Sequence, residues 1–244
     1  MRGNGQRVAV ITGGSQGIGA GLVAGYRERG WAVVASARTI KPSEDPAVLT
    51  VAGDIAEPGT AGRLIDGALE RFGRIDTLVN NAGVFISKPF TDYTAADYAT
   101  VTGVNLTGFF WVTQRAIAEM ATRYGGHVVN ISATLAEVAD SGTPAVLTAL
   151  TKGALAAATR SLAIEYASRG IRVNAVSPGV IQTPVYPAES YEGLGDRLPP
   201  LGHVGQVSDV VNAILFLESS PYITGEILHI DGGQTAGQIG RAHV

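Results

Sequence analysis

Arg7-Val8-Ala9-Val10-Ile11-Thr12-Gly13-Gly14-Ser15-Gln16-Gly17-Ile18-Gly19 is an apolar run of strand length that feeds straight into three spaced glycines, Gly13, Gly17 and Gly19. A helical pattern follows it. Backbone without side chains presses closely against a pyrophosphate, and the N-terminus of the next helix points free N–H groups at that charge. The stretch therefore predicts a strand, a tight loop and a helix built around a dinucleotide. It leaves open what is done with that dinucleotide.

The chain has 244 residues, enough for one sizeable α/β domain. Its net charge is −3 and no basic block occurs, which argues against a nucleic-acid partner. The sequence contains no cysteine, so disulfides and thiolate metal sites are excluded. Lysine occurs only at Lys41, Lys88 and Lys152. His127, His203 and His229 show no metal-ligand spacing and read as structural, so no metal is expected. The longest apolar runs fall short of a membrane span, and a cytoplasmic protein away from membranes is the simplest expectation.

Short β-branched runs at 7–12, 31–36, 48–52, 75–79, 126–132, 171–176 and 226–230 alternate with helical patterns near 17–29, 58–73, 92–102, 105–123, 145–168 and 206–219. This alternation predicts a doubly wound parallel sheet of seven strands with helices on both faces. Nothing divides the chain, so 1–244 is expected to form a single dinucleotide-binding domain. The irregular stretch at about 180–205, rich in Pro, Gly and Tyr, reads as a substrate lid. Ligands of such sheets sit at the carboxyl ends of the strands, where segments leaving Thr12, Ala37, Gly53, Asn80, Ala133 and Ser177 converge.

Several landmarks agree with one family. Thr12-Gly13-x-x-x-Gly17-x-Gly19 resembles the glycine motif of short-chain dehydrogenases/reductases. Asp54-Ile55 resembles their adenine-contacting pair, and Asn80-Asn81-Ala82-Gly83 their strand-four motif. Asn105 matches the family's helix asparagine, and Pro178-Gly179-x-x-x-Thr183 resembles the segment at the nicotinamide. Tyr222-Ile223-Thr224-Gly225 and Asp231-Gly232-Gly233 resemble the last strand and its exit. One glycine motif is a weak signal, but six landmarks in order over about 7–235 are a strong one.

The resemblance implies a Rossmann fold, an NAD(P)-linked oxidoreductase activity on a small molecule, and a homotetramer or homodimer. In that assembly the helices at about 105–123 and 145–168 would meet a neighbour. It assigns the pyrophosphate to Gly13, Gly17 and Gly19, with Ser15, Gln16 and Ile18 in the same loop. Asp54 and Ile55 would hold the adenine, and Asn81, Ala82 and Gly83 the ribose side. Lys152 would hold the nicotinamide ribose, with Pro178, Gly179, Ile181 and Thr183 at the nicotinamide and Asn105 holding a water chain.

The end of the second strand, Ala35-Ser36-Ala37-Arg38-Thr39, addresses the cofactor's phosphate. An acid there would bind both ribose hydroxyls and repel a 2′-phosphate. Ala37 stands in the acid's place, and the neighbouring Arg38 guanidinium can fork onto phosphate oxygens, with Ser36 and Thr39 adding hydroxyls. NADP(H) is therefore expected over NAD(H), which remains possible.

The family's usual chemistry takes its proton from a tyrosine four residues before the lysine, one helical turn away. Here that position is Thr148, and no Tyr-x-x-x-Lys occurs in the chain. Aliphatic hydroxyls are far weaker acids than phenols. The family serine that polarises the substrate carbonyl aligns with Ala133, with Ser132 expected on the other face of the strand and Thr134 as a substitute. The catalytic set is thus read as Asn105, Thr148 and Lys152; Tyr186 and Tyr191 read first as lid packing against substrate or a partner subunit, with a displaced acid as the alternative. A positioned acid contributes roughly 10²–10⁴-fold, so its loss lowers hydride transfer without abolishing it. Three functions remain open: a reductase of an activated carbonyl, imine or enone; a dinucleotide-binding protein without turnover; and a lyase or isomerase on the same fold.

Overall fold

The structure is a computed structural model and describes residues 5–184 and 199–237. Seven parallel strands form one sheet: β1 Val8–Thr12, β2 Ala32–Ala37, β3 Val48–Ala52, β4 Thr77–Asn80, β5 Gly126–Ile131, β6 Ile171–Pro178 and, last in the chain, β9 Ile227–Ile230. Their order is β3-β2-β1-β4-β5-β6-β9, which reverses direction beside β1. The doubly wound α/β sheet read from the sequence is present, and its strand ends move by no more than two residues.

Alternate side chains of each strand serve opposite faces. Val8 and Val10 pack with α2 (Pro58–Phe72) and α4 (Phe109–Thr122) through Leu64, Ile65, Val112 and Met120. Ala9 and Ile11 pack with α1 (Gly17–Glu28) and the last helix, α6 (Val207–Ser219), through Leu22, Tyr26, Val210 and Ile214. This burial on both faces explains the uninterrupted apolar run of β1. Gly21 and Gly25 of α1 allow α6 to approach closely: a methyl at Gly21 would lie 2.6 Å from Val207 Cγ1.

Three local differences have clear causes. The expected helix at 92–102 begins only at Ala95, because Thr94 and Asp97 form a reciprocal cap there. This helix, α3 (Ala95–Thr102), continues into α4 through a π-helical turn, Gly103–Gly108, where two separate helices were expected. Gly108 allows the turn to sit on Ile55, whose Cγ2 would be 2.8 Å from an added methyl. Within the irregular stretch, β7 (Ile181–Gln182) pairs in parallel with β8 (Gly205–Gln206). Between them, residues 185–198, with Tyr186 and Tyr191, lie outside the described residues. Among the described residues no helix is long and apolar enough to cross a membrane.

The amino-terminal edge of the sheet holds a buried polar network. Glu218 Oε2 accepts from Tyr26 (3.1 Å), from Thr77 (2.8 Å) and from His127 Nδ1 (3.0 Å). His127 Nε2 faces Asn174 Nδ2 at 3.1 Å and Arg172 Nη1 at 3.4 Å. Arginine can only donate, and Asn174 Nδ2 also donates to Ile223 O (3.0 Å), so Nε2 must be the acceptor and Nδ1 carries the proton. Burial holds the His127 imidazole below its ordinary pKa of 6.5. Burial pushes the Glu218 carboxyl up, but hydrogen bonds from His127, Thr77 and Tyr26 outweigh it and leave the pKa lowered.

Folding therefore excludes a proton from both groups. Their contribution is complete above each ordinary pKa and is lost as pH falls, first through 6.5 for His127 and then through 4.5 for Glu218. Between pH 8 and 7 urea unfolding should show the stability falling by less than about 0.5 kcal/mol, as Lys152 regains its proton in the folded state. Below pH 6.5 it should lose up to about 1.4 kcal/mol per pH unit for each proton taken up. His127→Gln should flatten the limb between pH 6.5 and 5.5. An unchanged slope in that variant would place the titration elsewhere.

Candidate active site

The loop after β1 is set by close approaches. Gly13 and Gly17 adopt positive φ angles of 68° and 54°. A methyl on Gly19 would lie 2.0 Å from the Gly13 carbonyl oxygen, so only glycine permits α1 to start there. Asn81, just beyond β4, clamps this loop. Its Nδ2 donates to Thr12 O (2.9 Å) and Gly13 O (3.0 Å). Thr12 Oγ1 accepts in return from the backbone N–H groups of Asn81 and Ala82, both at 3.0 Å.

A crevice of about 310 Å³ opens at the carboxyl ends of β1, β2, β3 and β4. The structure brings most of the expected cofactor residues into it: Gly13, Ser15, Gln16, Gly17, Ile18 and Gly19 from the first loop; Ala37 and Arg38; Asp54 and Ile55; Asn81, Ala82 and Gly83; and Thr183. Ser36 and Thr39 also line it. So do Gly53, one of the strand exits expected to converge here, and Val84 and Val104, which sequence reasoning passed over although each adjoins a recognised motif. Arg38 is exposed on the rim, and no hydrogen bond or ion pair engages its guanidinium among the described residues. A glycine-lined cradle with an unengaged cation at its β2 end fits a dinucleotide that carries an additional phosphate.

Four expected positions do not line this crevice: Lys152, which belongs to the catalytic group below, and Pro178, Gly179 and Ile181. Gly179 packs against the turn after β9, where an added methyl would meet Gln234 Oε1 at 2.8 Å. Pro178 ends β6, and Ile181 points at Gly205, whose added methyl would lie 2.6 Å from Ile181 Cδ1. Their small or apolar character follows from this packing.

The catalytic candidates lie together on α5 (Val146–Tyr166) and the elements it covers. Asn105, in the π-helical turn, is buried. Its Oδ1 accepts from Val84 N (2.9 Å), and its Nδ2 donates to Val84 O (3.1 Å) and to Thr151 Oγ1 (3.1 Å). Lys152 is buried, and its Nζ donates to Ile131 O at 2.6 Å. Burial brings this ammonium down to about 8. Thr148, one turn earlier, is buried with an Oγ1 that has no hydrogen-bond partner. At the end of β5, Ser132 turns its hydroxyl onto Lys152 O (3.1 Å), while Ala133 is extended and partly exposed. Thr134 is buried in the following 3₁₀ turn.

The histidines are separate from one another. His127 belongs to the network described above, His229 pairs with Glu137 (2.8 Å), and His203 contacts Val204 O. Among the described residues, no three acidic or imidazole groups gather to hold a metal.

Fold and crevice define a dinucleotide-binding α/β protein of the oxidoreductase type. A family model described as enoyl-(acyl carrier protein) reductase matches residues 13–235. The chain belongs to the short-chain dehydrogenase/reductase family and is an oxidoreductase of that kind. It is 35% identical over 246 residues to a cis-4-hydroxycyclohexanecarboxylate dehydrogenase of Sinomonas cyclohexanicum, covering 95% of this chain and 97% of that one. Among solved structures it resembles ElxO with NADP bound (28% identity, TM-score 0.88, covering 95% of this chain and all of the other). It also resembles a gluconate 5-dehydrogenase from Burkholderia cenocepacia J2315 in complex with NADP and tartrate (31% identity, TM-score 0.84, covering 95% and 96%).

Gly19→Ala should force the first loop away from Asn81. Overpacking of this kind costs about 1–3 kcal/mol, and urea denaturation of the ligand-free protein should read that loss. A variant as stable as the wild type would show that the loop yields freely.

Proposed function

We propose that this chain is an NADP(H)-dependent oxidoreductase acting on a small carbonyl, imine or enone, with a proton-delivery apparatus that lacks the family's tyrosine. The observation that carries the cofactor reading is Arg38, exposed and unengaged beside Ser36 and Ala37 at the end of β2. The NADP named for both structural neighbours supports it. The bound cofactor would supply or accept hydride. Gly13 to Gly19 would hold its pyrophosphate, Asp54 and Ile55 its adenine, Asn81 to Gly83 and Lys152 the nicotinamide ribose, and Thr183 the carboxamide.

Thr148 supports the substrate reading. A hydroxyl at this position is a poor acid, so the reaction should favour electrophiles that demand less of one. Iminium ions and conjugated enones meet that requirement better than simple ketones. The chain would act as one domain. The exposed Phe110, Trp111 and Leu150 of α4 and α5 suit the homotetramer or homodimer that the family resemblance implies.

A second reading, dinucleotide binding without turnover, rests on Thr148 and Ala133 together. Purified protein incubated with NADPH and a panel of ketones, imines and enones separates the two. Consumption of NADPH with enones or imines supports the first reading, and saturable binding without oxidation supports the second. Reduction of simple ketones at rates ordinary for the family, with Thr148→Ala harmless, would overturn the modified-site reading.

Arg38→Ala should weaken NADPH binding about 10–100-fold, the value of one or two hydrogen bonds to a charged group, and leave NADH binding unchanged. Intrinsic fluorescence titration with both cofactors checks this. Equal effects on the two would remove Arg38 from the phosphate.

A further inference from the structure

Hydride reduction of a conjugated carbonyl also needs a proton, and the Thr148 hydroxyl is too weak an acid to give one at neutral pH. Two groups on one face of α5 stand near where the family's phenol would be. The first is Thr148 Oγ1, buried and without a partner. A buried hydroxyl left unpaired is destabilising, and a ligand's polar atom relieves it. The second is Lys152, one turn further along.

The ammonium has three N–H donors, and Ile131 O takes one of them. Gly83 lies beside it, exposed at the crevice: a methyl there would stand 3.2 Å from Nζ. Against Nζ stand the Ile131 carbonyl of β5 and Gly83 after β4, with Asn105 Oδ1 of the π-helical turn on the same side of Gly83 and Thr148 one turn away along α5. None of these residues is titratable. Asn105, Ser132 and Thr151 already use their polar atoms on one another or on backbone. Among the described residues no carboxylate pairs with the ammonium. Burial alone lowers its pKa to about 8, near working pH, where a general acid is most effective.

We propose that Lys152 is the proton donor of this site, and that its ammonium and the neighbouring Thr148 hydroxyl together receive the oxygen of a conjugated carbonyl substrate. The proposal rests on the NADP(H) oxidoreductase reading. Two electrons arrive as hydride from the reduced nicotinamide co-reactant and form a C–H bond at the β-carbon. The alkene pair shifts to the α-carbon–carbonyl bond, and the carbonyl π pair moves onto oxygen. One N–H bond of Lys152 breaks, its electron pair stays on nitrogen, and the proton bonds to the enolate oxygen. The enol becomes the ketone in water, and the neutral amine regains a proton from solvent.

The chain's three lysines make the titration directly observable. In protein labelled with ¹³C-lysine, the side-chain Cε signal that vanishes in Lys152→Arg should titrate near 8, whether or not a substrate is known. A midpoint above 10 would overturn the proposal. With NADPH and an enone from the panel, kcat/KM should be level below that pH and fall tenfold per unit above it. Lys152→Arg keeps a cation but gives up no proton. It should lose at least about 100-fold in kcat, while NADPH binding, read by fluorescence, changes less than tenfold. A purely structural lysine would move binding and turnover together.

A level pH profile, or an arginine variant retaining a tenth of the activity, would remove Lys152 from the chemistry and leave the oxidoreductase reading intact. NADPH that fails to bind, or binds with no substrate consumed, would overturn the oxidoreductase reading and this role with it. Thr148→Val should raise KM without moving the pH limb. A shifted limb would transfer the acid to Thr148 and overturn the assignment.

Discussion

The Asn81 side-chain amide holds two consecutive carbonyls, those of Thr12 and Gly13, at the exit of the central strand. The crevice depends on this clamp. β1 and β4 run parallel and in register to Ile11 and Val79, and beyond that point the ladder has no more bonds to give. Backbone carbonyls leaving a sheet inside a protein must find donors or lose about 1–3 kcal/mol each. Asn81 supplies both from one side chain, and Thr12 Oγ1 returns the favour to the N–H groups of Asn81 and Ala82. The first glycine loop and the segment after β4 are thereby one rigid unit. The two walls of a dinucleotide crevice are positioned by four hydrogen bonds rather than by loop length.

The same accounting orders the rest of the sheet. Its middle is aliphatic on both faces, and its polar groups gather in layers near the strand ends. Near the carboxyl edge, Asn80, Asn130, Thr113 and Thr159 bond one another across β4, β5 and the covering helices. At the amino edge, His127, Glu218, Arg172 and Asn174 do so. A buried polar network fixes which helix covers which strand end, even though at the carboxyl edge Asn80 Oδ1 has no hydrogen-bond partner among the described residues. Tyr26 of α1 and Glu218 of α6 share one such bond, which sets the packing of these two helices beside the contacts of Gly21 and Gly25.

What the sequence revealed and what it concealed follow from range. The glycines, Asn81 and Asp54-Ile55 are short motifs whose spacing reflects a local geometric need, and the structure gathers them as expected. Alternation of strand and helix foretold the parallel sheet, whereas the reversal of strand order beside β1 is seen only in the structure. The π-helical turn was hidden, because helical periodicity continues through it and its cause is Ile55, some fifty residues away. The carboxylate–imidazole network was hidden for the same reason: Glu218 and His127 are 91 positions apart. Gly179 lies against the turn after β9 and Ile181 against Gly205, contacts between residues far apart in sequence that a local motif does not reveal.

Binding and chemistry occupy different parts of this molecule. The crevice is made largely of backbone, glycine and short side chains, fixed by the Asn81 clamp. Two of the chemical groups, Thr148 and Lys152, lie one turn apart on α5, and Asn105 meets that helix from the π-helical turn. Lys152 Nζ donates to a backbone carbonyl, that of Ile131. A carbonyl dipole stabilises a cation less than a full negative charge does, and burial brings the ammonium down to about 8. Because the crevice is fixed by backbone and glycine, the side chains that α5 presents beside it can vary without disturbing the binding loop.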